Sequence, residues 1–538
     1  MQRIAIIGGG PAGVSAALEL LRIRGSSSSS SSTAAPLYAP TLFERRRAPG
    51  GVWTYEEPQA QRICFDETGQ AHAVARTMDG AWPPAGMFEG LRTNIPSDLM
   101  TFRDAPFAPS TPLFPSRRQV LDYLHAYAEQ HRELLAPVTR FGTEVVGMQK
   151  QGSTWSVTSR QGQDERQEVF DKVVIATGRC ARPQLPFVPG LWHFAGEIWH
   201  SSWYRTPLVF RNKTVLVVGN ASSGMDIARE LSGYSLRPLP AGPLSGDEVS
   251  AAAWAEESAA GRTGIRVLQS VEDVEKPPPM DYDPRDPASP DWARRIRVVP
   301  RIKSVDAEAI ELADGERLTD VDAIIFATGF VAEFPFLPPV APFDLAPLLP
   351  AAPERPPLHD DKLGARLEKQ GGPYRAPPAA PVLNNLDDWL LFYEKDDSVA
   401  VLGAPTTVVP FHLSQAQARY VAAYWAGKAA PLPQLDSSIP PTEAARWSST
   451  RQADQTETWP QGRCAHVFGN PSDAAYVDEL LARSPEGGAE APWDVEYRAQ
   501  SDGRGGGPRG QEDWSKTPTW RRERRNKGKE LRREELGY

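Results

Sequence analysis

The 538-residue chain has little cysteine: Cys64, Cys180 and Cys464 lie far apart, and no CxxC pair occurs. That excludes a disulfide scaffold, a zinc ribbon and a CxxC dithiol reductase, and it suits a reducing compartment. It lacks a long apolar run, so no membrane-spanning helix is expected. An excess of basic charge is also absent. The formal net charge is -9 and the isoelectric point near 5.6, which argues against a nucleic-acid or polybasic membrane partner. Met1-Gln-Arg runs directly into Ile4-Ala-Ile-Ile7, leaving no room for a signal peptide before structure starts, and the expected location is cytoplasmic.

Proline and glycine, in contrast, are plentiful (52 and 43 residues). They mark loop or tail segments within a length that allows three to four units of ~150 residues. Ser26 to Ser32 is a low-complexity insertion within residues 25–35. Leu236 to Arg262 reads as a second surface insertion, and Leu337 to Pro381 as Pro-rich irregular structure. Past Gln500 the chain turns Gly-rich and then strongly charged around Arg521-Arg522-Glu523-Arg524-Arg525, which predicts a disordered tail or frayed helix.

The strongest signal is at the start. Ile4 to Ile7 reads as a buried strand, Val14 to Ile23 as a helix, and between them stand Gly8, Gly9, Gly10, Pro11, Ala12 and Gly13. Strand, GxGxxG turn and helix form a dinucleotide-binding unit. Gly8 permits the tight turn, Gly10 lets the backbone approach a pyrophosphate, and Gly13 lets helix and strand pack closely. The helix N-terminus then faces the phosphate charge. An acidic residue is expected about 20 positions further on, to hold ribose hydroxyls. Glu44, at the end of Leu42-Phe43-Glu44, fits once the insertion is discounted.

A second unit follows. Val215 to Val218 leads into Gly219-Asn-Ala-Ser-Ser-Gly224 and a helix over Met225 to Leu231. Ala221 replaces the middle glycine, and its methyl group is expected to push a phosphate away or reshape the turn. Ser222 and Ser223 add hydroxyls at the helix start. The next strand ends Leu268-Gln269-Ser270 without a carboxylate, which favours NADP over NAD, with Arg262 or Arg266 as a charge partner for the 2′-phosphate. Val173 to Ala176 and Ala323 to Ala327 are further strands, each running into Ala-Thr-Gly. Val399 to Leu402 is another, and Ser414 to Lys428 a late helix. Two units imply two nucleotides, ordinarily a flavin and a nicotinamide exchanging hydride.

Phe194-Ala-Gly196-Glu-Ile-Trp-His200-Ser-Ser-Trp-Tyr204 matches the fingerprint FxGxxxHxxx(Y/F) at every fixed position. In this the chain resembles the flavin-containing monooxygenase family. Baeyer–Villiger monooxygenases have a similar fingerprint that ends in Trp and then Pro or Asp, whereas Tyr204-Arg205 stands here. Gly51, Val52 and Trp53 look like the family's GGxW segment along the flavin, and Thr93-Asn94-Ile-Pro96 like the segment carrying its active-site asparagine. Phe114-Pro-Ser116 and the helix over Val120 to Ala128 also fit. Gln415 falls on the late helix whose start faces the flavin ring.

The resemblance implies an α/β fold of two Rossmann-like domains, the smaller NADPH domain inserted in the larger FAD domain. The expected division is 1–204 and 334–440 for FAD, 205–333 for NADPH, and 441–538 as a C-terminal extension. It implies an FAD- and NADPH-dependent monooxygenase. NADPH-reduced flavin forms a C4a-hydroperoxyflavin and passes one oxygen atom from O2 to a soft nucleophile, a thiol, thioether or amine of a small molecule, with no metal. Asn94 is the expected catalytic side chain. His200 is expected to hold or gate the domain junction rather than act as acid or base. Trp199 and Trp203 are expected to pack in the core rather than cage a substrate. The alternatives are a Baeyer–Villiger or specialised-metabolite tailoring enzyme, an NADPH oxidase, and a flavin-binding protein without turnover. A homo-oligomer is compatible with all of them.

Overall fold

The computed structural model describes residues 1–25, 35–65, 69–76, 82–103, 105–234, 263–279, 281–331, 334–337, 386–387, 389–393, 396–432, 472–484 and 517–536. The expectations for the serine run, for 236–262 with Arg262, and for 338–381 lie outside the described residues. So does Cys464.

The chain builds part of one sheet, leaves it for a second, and returns. β1 (Gln2–Ile7), α1 (Pro11–Arg22), β2 (Tyr38–Glu44), α2 (Arg117–Gln130), β3 (Thr139–Phe141) and β4 (Lys172–Ile175) come first. The second sheet takes β5 (Glu197–His200), β6 (Thr214–Val218), β7 (Arg266–Ser270), β8 (Ile296–Val299) and β9 (Ala323–Phe326), with α3 (Ser222–Leu231) after β6. β10 (Phe392–Tyr393) and β11 (Asp396–Val401) then complete the first sheet, and α4 (Pro410–Trp425) follows. The strand orders are β10-β11-β4-β1-β2-β3 and β5-β9-β6-β7-β8. All of these pairings are parallel except β10 with β11.

The central strands are continuously apolar because helices or a further sheet cover both faces, as parallel sheets require. Ile4, Ala5 and Ile6 of β1 and Ile324 and Ile325 of β9 have no exposed surface. α1 packs along α4 over the first sheet. An antiparallel meander, Glu144–Gln151, Thr154–Gln161 and Asp164–Phe170, fills the connection into β4. No described helix is long and apolar enough to cross a membrane.

Two expectations change here. The second sheet begins at Glu197, ahead of the boundary placed at 205, because β5 pairs with β9 along its whole length. The charged tail is folded rather than disordered. After α5 (Ser472–Arg483), α6 (Thr519–Asn526) and α7 (Gly528–Leu536) pack on both lobes. Arg521 donates to the carbonyls of Asp98 and Leu99, and Arg524 pairs with Asp98 at 2.8 Å. Arg532 is 2% exposed. Arg524, within the charged run, is thus partnered by a carboxylate hundreds of residues away in sequence.

Candidate functional site

Both glycine turns sit at the carboxyl ends of the central strands β1 and β6, where open α/β sheets bind ligands. Their geometry is nearly duplicated. Gly8 and Gly219 both have φ +107°, and a Cβ on either would lie 2.6 Å from the Ala176 carbonyl oxygen or 2.7 Å from that of Ala327. These are the two Ala-Thr-Gly connectors, so each turn is braced by the strand beside it. A Cβ on Gly13 would overlap the Gly8 carbonyl oxygen, and one on Gly224 that of Gly219. Gly10 (φ -73°, ψ -176°) and Ala221 (φ -76°, ψ -175°) share one backbone conformation. Of the two expected effects of alanine, a reshaped second turn is excluded, because any residue adopts that φ. Only its methyl group is left to affect a ligand.

The first turn fits a dinucleotide. Gly10 faces Gly51 so closely that a Cβ on Gly51 would lie 3.1 Å from Gly10 Cα, which leaves a cradle of bare backbone. Pro11 and Ala12 open α1, whose uncapped N-terminus offers its amides to an anion. Glu44 is buried at the end of β2. Its Oε2 accepts from Gly9 N at 2.6 Å and its Oε1 from Arg46 N at 2.8 Å, and each oxygen keeps a lone pair for a hydroxyl. Gly51 to Trp53 form one 3-10 turn, with Val52 exposed and Trp53 against the first core.

The second turn is linked to the first lobe. Asn94, exposed on its loop, donates from Nδ2 to Ser222 Oγ at 3.2 Å, at the start of α3. Thr93 beside it is buried, and its amide donates to the Pro115 carbonyl at 3.0 Å. Ser116, next in line, closes a capping box on α2 with Gln119, so the Asn94 loop is held to a helix start. Ser223 is half-buried and makes no cap bond. Gln269 donates to the Gly219 carbonyl at 3.2 Å and supports the turn from the next strand.

Two sequence-based assignments are corrected. Arg266 opens β7 and pairs with Asp320 at 2.5 Å. It lies roughly 13 Å, four strand steps, from the end that faces the turn, and cannot meet a phosphate there. The late helix starts at Pro410, not near Ser414, because proline is preorganised for the first helical position. Gln415 is therefore more than a turn inside α4, buried, with its Oε1 accepting from Arg103 N at 2.9 Å.

The fingerprint residues act at the junction. A Cβ on Gly196 would overlap the Asp322 carbonyl, so glycine lets β5 start beside β9. His200 is fully buried, its Nδ1 accepting from Ser202 N at 3.1 Å and its Nε2 donating to the Gly329 carbonyl at 3.0 Å. Burial lowers its pKa to about 3, so the ring stays neutral and pins the second Ala-Thr-Gly connector. Trp203 is buried, and Trp199 packs edge-on to Phe210 at 5.2 Å.

Sequence reasoning missed the partners. Tyr204 donates its hydroxyl to Glu230 Oε2 at 2.8 Å, which ties the fingerprint to the end of α3. Burial raises the Glu230 carboxyl from 4.5 to about 8, although the Tyr204 hydroxyl opposes the rise. Arg205 donates to the carbonyls of Ser202 and Tyr204 (2.8 Å each) and of Glu56 and Ala85 (3.0 Å each). A guanidinium fork suits four such acceptors in different directions. The distant partners among these, Glu230, Glu56 and Ala85, carry no local spacing signal.

Residues 1–239 match the family model Flavin-binding monooxygenase-like. The chain is 28% identical over 423 residues to the thiol-specific monooxygenase of Saccharomyces cerevisiae, covering 78% of this chain and 75% of that protein. It is 32% identical over 244 residues to the flavin-containing monooxygenase FMO GS-OX5 of Arabidopsis thaliana, covering 43% of this chain and 47% of that protein. It thus spans about half the length of that plant relative. The S-allyl-L-cysteine S-oxygenase of Allium sativum has the same fold, with a TM-score of 0.64 at 21% identity over 100% of this chain and 95% of that one. The turns and the junction fingerprint thus belong to a chain that is similar to flavin-containing monooxygenases, most directly over residues 1–239.

Proposed function

We propose that the protein is an FAD- and NADPH-dependent monooxygenase that transfers one oxygen atom of O2 to a sulfur nucleophile of a small molecule, a thiol or thioether, with amines as a secondary class. The observation that carries this reading is the pair of matched turns at the ends of two parallel sheets, joined by Asn94 to Ser222. The yeast relative is a thiol-specific monooxygenase, which supports sulfur as the acceptor.

The first turn and α1 would hold the FAD pyrophosphate, Glu44 its ribose, and Gly51 to Trp53 would lie along it. The second turn, Ser222, Ser223 and the N-terminus of α3 would hold the NADPH phosphates. Bound FAD and NADPH supply the hydride transfer and the activation of O2. The protein binds and orients both. Asn94, in reach of α3 from the first lobe, can turn its amide from Ser222 to a nicotinamide or oxygen-bearing group. Sulfur is nucleophilic without a base, so no proton need be removed from a thioether before it reacts.

The test is NADPH and O2 consumption by the FAD-loaded protein with a thiol, a thioether, a tertiary amine and a cyclic ketone, with the product formed under 18O2 weighed by mass spectrometry. One labelled oxygen on sulfur supports the proposal. A labelled lactone from the ketone, or hydrogen peroxide in stoichiometric yield with every compound, overturns it. Asn94→Ala should keep FAD but lower turnover about 10²-fold.

A further inference from the structure

The C-terminal helix α7 delivers a guanidinium to the helix that opens at the second turn. Arg532 donates to Asp281 Oδ1 at 2.9 Å and to Asp226 Oδ1 at 3.2 Å. Asp226 lies on α3 one turn, ~5.4 Å, beyond Ser222. Arg229 of the same helix pairs with Asp226 and lies 3.9 Å from Asp281. Two arginines and two aspartates thus form a closed, charge-balanced cluster, each residue buried. Arg533 donates to the Asp281 carbonyl, and the Tyr234 hydroxyl to the Leu536 carbonyl at 3.1 Å. α6, joined to α7 through Lys527, is fixed to the Asp98–Leu99 backbone, a few residues beyond Asn94.

Such a cluster is a poor choice if docking were all it did. Buried ion pairs contribute little net stability compared with apolar packing of the same volume. What hydrogen-bonded charges add is direction. They fix where α3 sits along its own axis, because such bonds hold only near 2.7–3.2 Å. The amides at the start of α3 must meet phosphate oxygens under the same narrow limit.

We propose that Arg532 is a positioning residue for the nicotinamide dinucleotide, holding α3 in the register at which its N-terminus receives the phosphates. This rests on the reading of the Gly219 turn as the NADPH site. The proposal places part of that site's support in the C-terminal segment, far outside the 1–239 span matched by the family model.

The test uses the full-length, FAD-loaded chain. Arg532→Met leaves Asp281 and Asp226 sharing one guanidinium, and this variant alone could fail to fold. Arg532→Met with Asp281→Asn removes one charge of each sign and leaves the Asp226–Arg229 pair intact. In the double variant the Kd for NADP+ by calorimetry and the KM for NADPH should both rise about 10-fold or more. FAD content should be unchanged and kcat should stay within about twofold. Arg532→Lys, which keeps the charge and can reach one carboxylate, should show a smaller rise. A folded, flavin-loaded double variant that binds NADP+ like the parent overturns the proposal, as does a fall in kcat at constant KM. If the parent itself binds FAD but no NADP+, the site reading fails and the proposal with it. Parental binding with indifferent variants refutes the proposal alone.

Discussion

Glu230→Gln should alter how stability responds to pH. The carboxyl is buried at the end of α3, accepts the Tyr204 hydroxyl at 2.8 Å, and has its pKa raised by burial from 4.5 to about 8. Because the folded state holds this proton more tightly than the unfolded state, its contribution is fully present below about 4.5. It is lost as pH rises towards about 8. A difference of that size corresponds to on the order of 5 kcal/mol, an upper bound because charging would draw in water. Glutamine keeps an acceptor for Tyr204 and cannot ionise. The assay is thermal or urea unfolding of both proteins from pH 5 to pH 9, and the difference between them isolates this residue from every other titrating group. The two should be similar at pH 5, and the variant should gain several kcal/mol by pH 9. A difference that does not change with pH would refute the reasoning, and one that favours the parent at high pH would reverse its sign.

Arg205→Met should cost about 3–5 kcal/mol, the upper end of single-site effects, since it strands the buried carbonyls of Ser202, Tyr204 and Ala85 and the half-buried one of Glu56. Arg205→Lys should cost less, and a melting temperature unchanged by either would show that the fork is dispensable. Gly13→Ala should give a colourless protein, because the added methyl would overlap the Gly8 carbonyl and open the turn. Retention of FAD at the parental stoichiometry would contradict the cradle described above.

The first turn, Glu44 and the two sheets were legible because glycine spacing and short apolar runs are local signals. At Ala221 the sequence leaves open whether the backbone or only the methyl group matters, and the φ, which suits any residue, leaves the methyl group. Arg266 was misplaced by direction, since a strand's sequence does not announce which of its ends faces the ligand until the sheet is assembled. The start of α4 is expected four residues too late, although Pro410 carries the signal of a first helical residue. The tail was not. Arg532 finds Asp226 and Asp281 across roughly half the chain, and alternating Arg and Glu looks the same whether it is solvated or docked. The fingerprint was read as a motif, yet its explanation lies in Asp322, Gly329 and Glu230, none of which stands near it in sequence.

The return of the chain to its first sheet sets an order of synthesis. β4 ends at Ile175, and its partner β11 begins at Asp396. On the ribosome the second sheet, complete by Phe326, is available to fold before the first sheet has its final strands. Until then Val173 and Val174 present an open, apolar edge to whatever strand is near. Fragments cut between the two sheets should therefore precipitate, while one spanning the second sheet alone has every strand it needs.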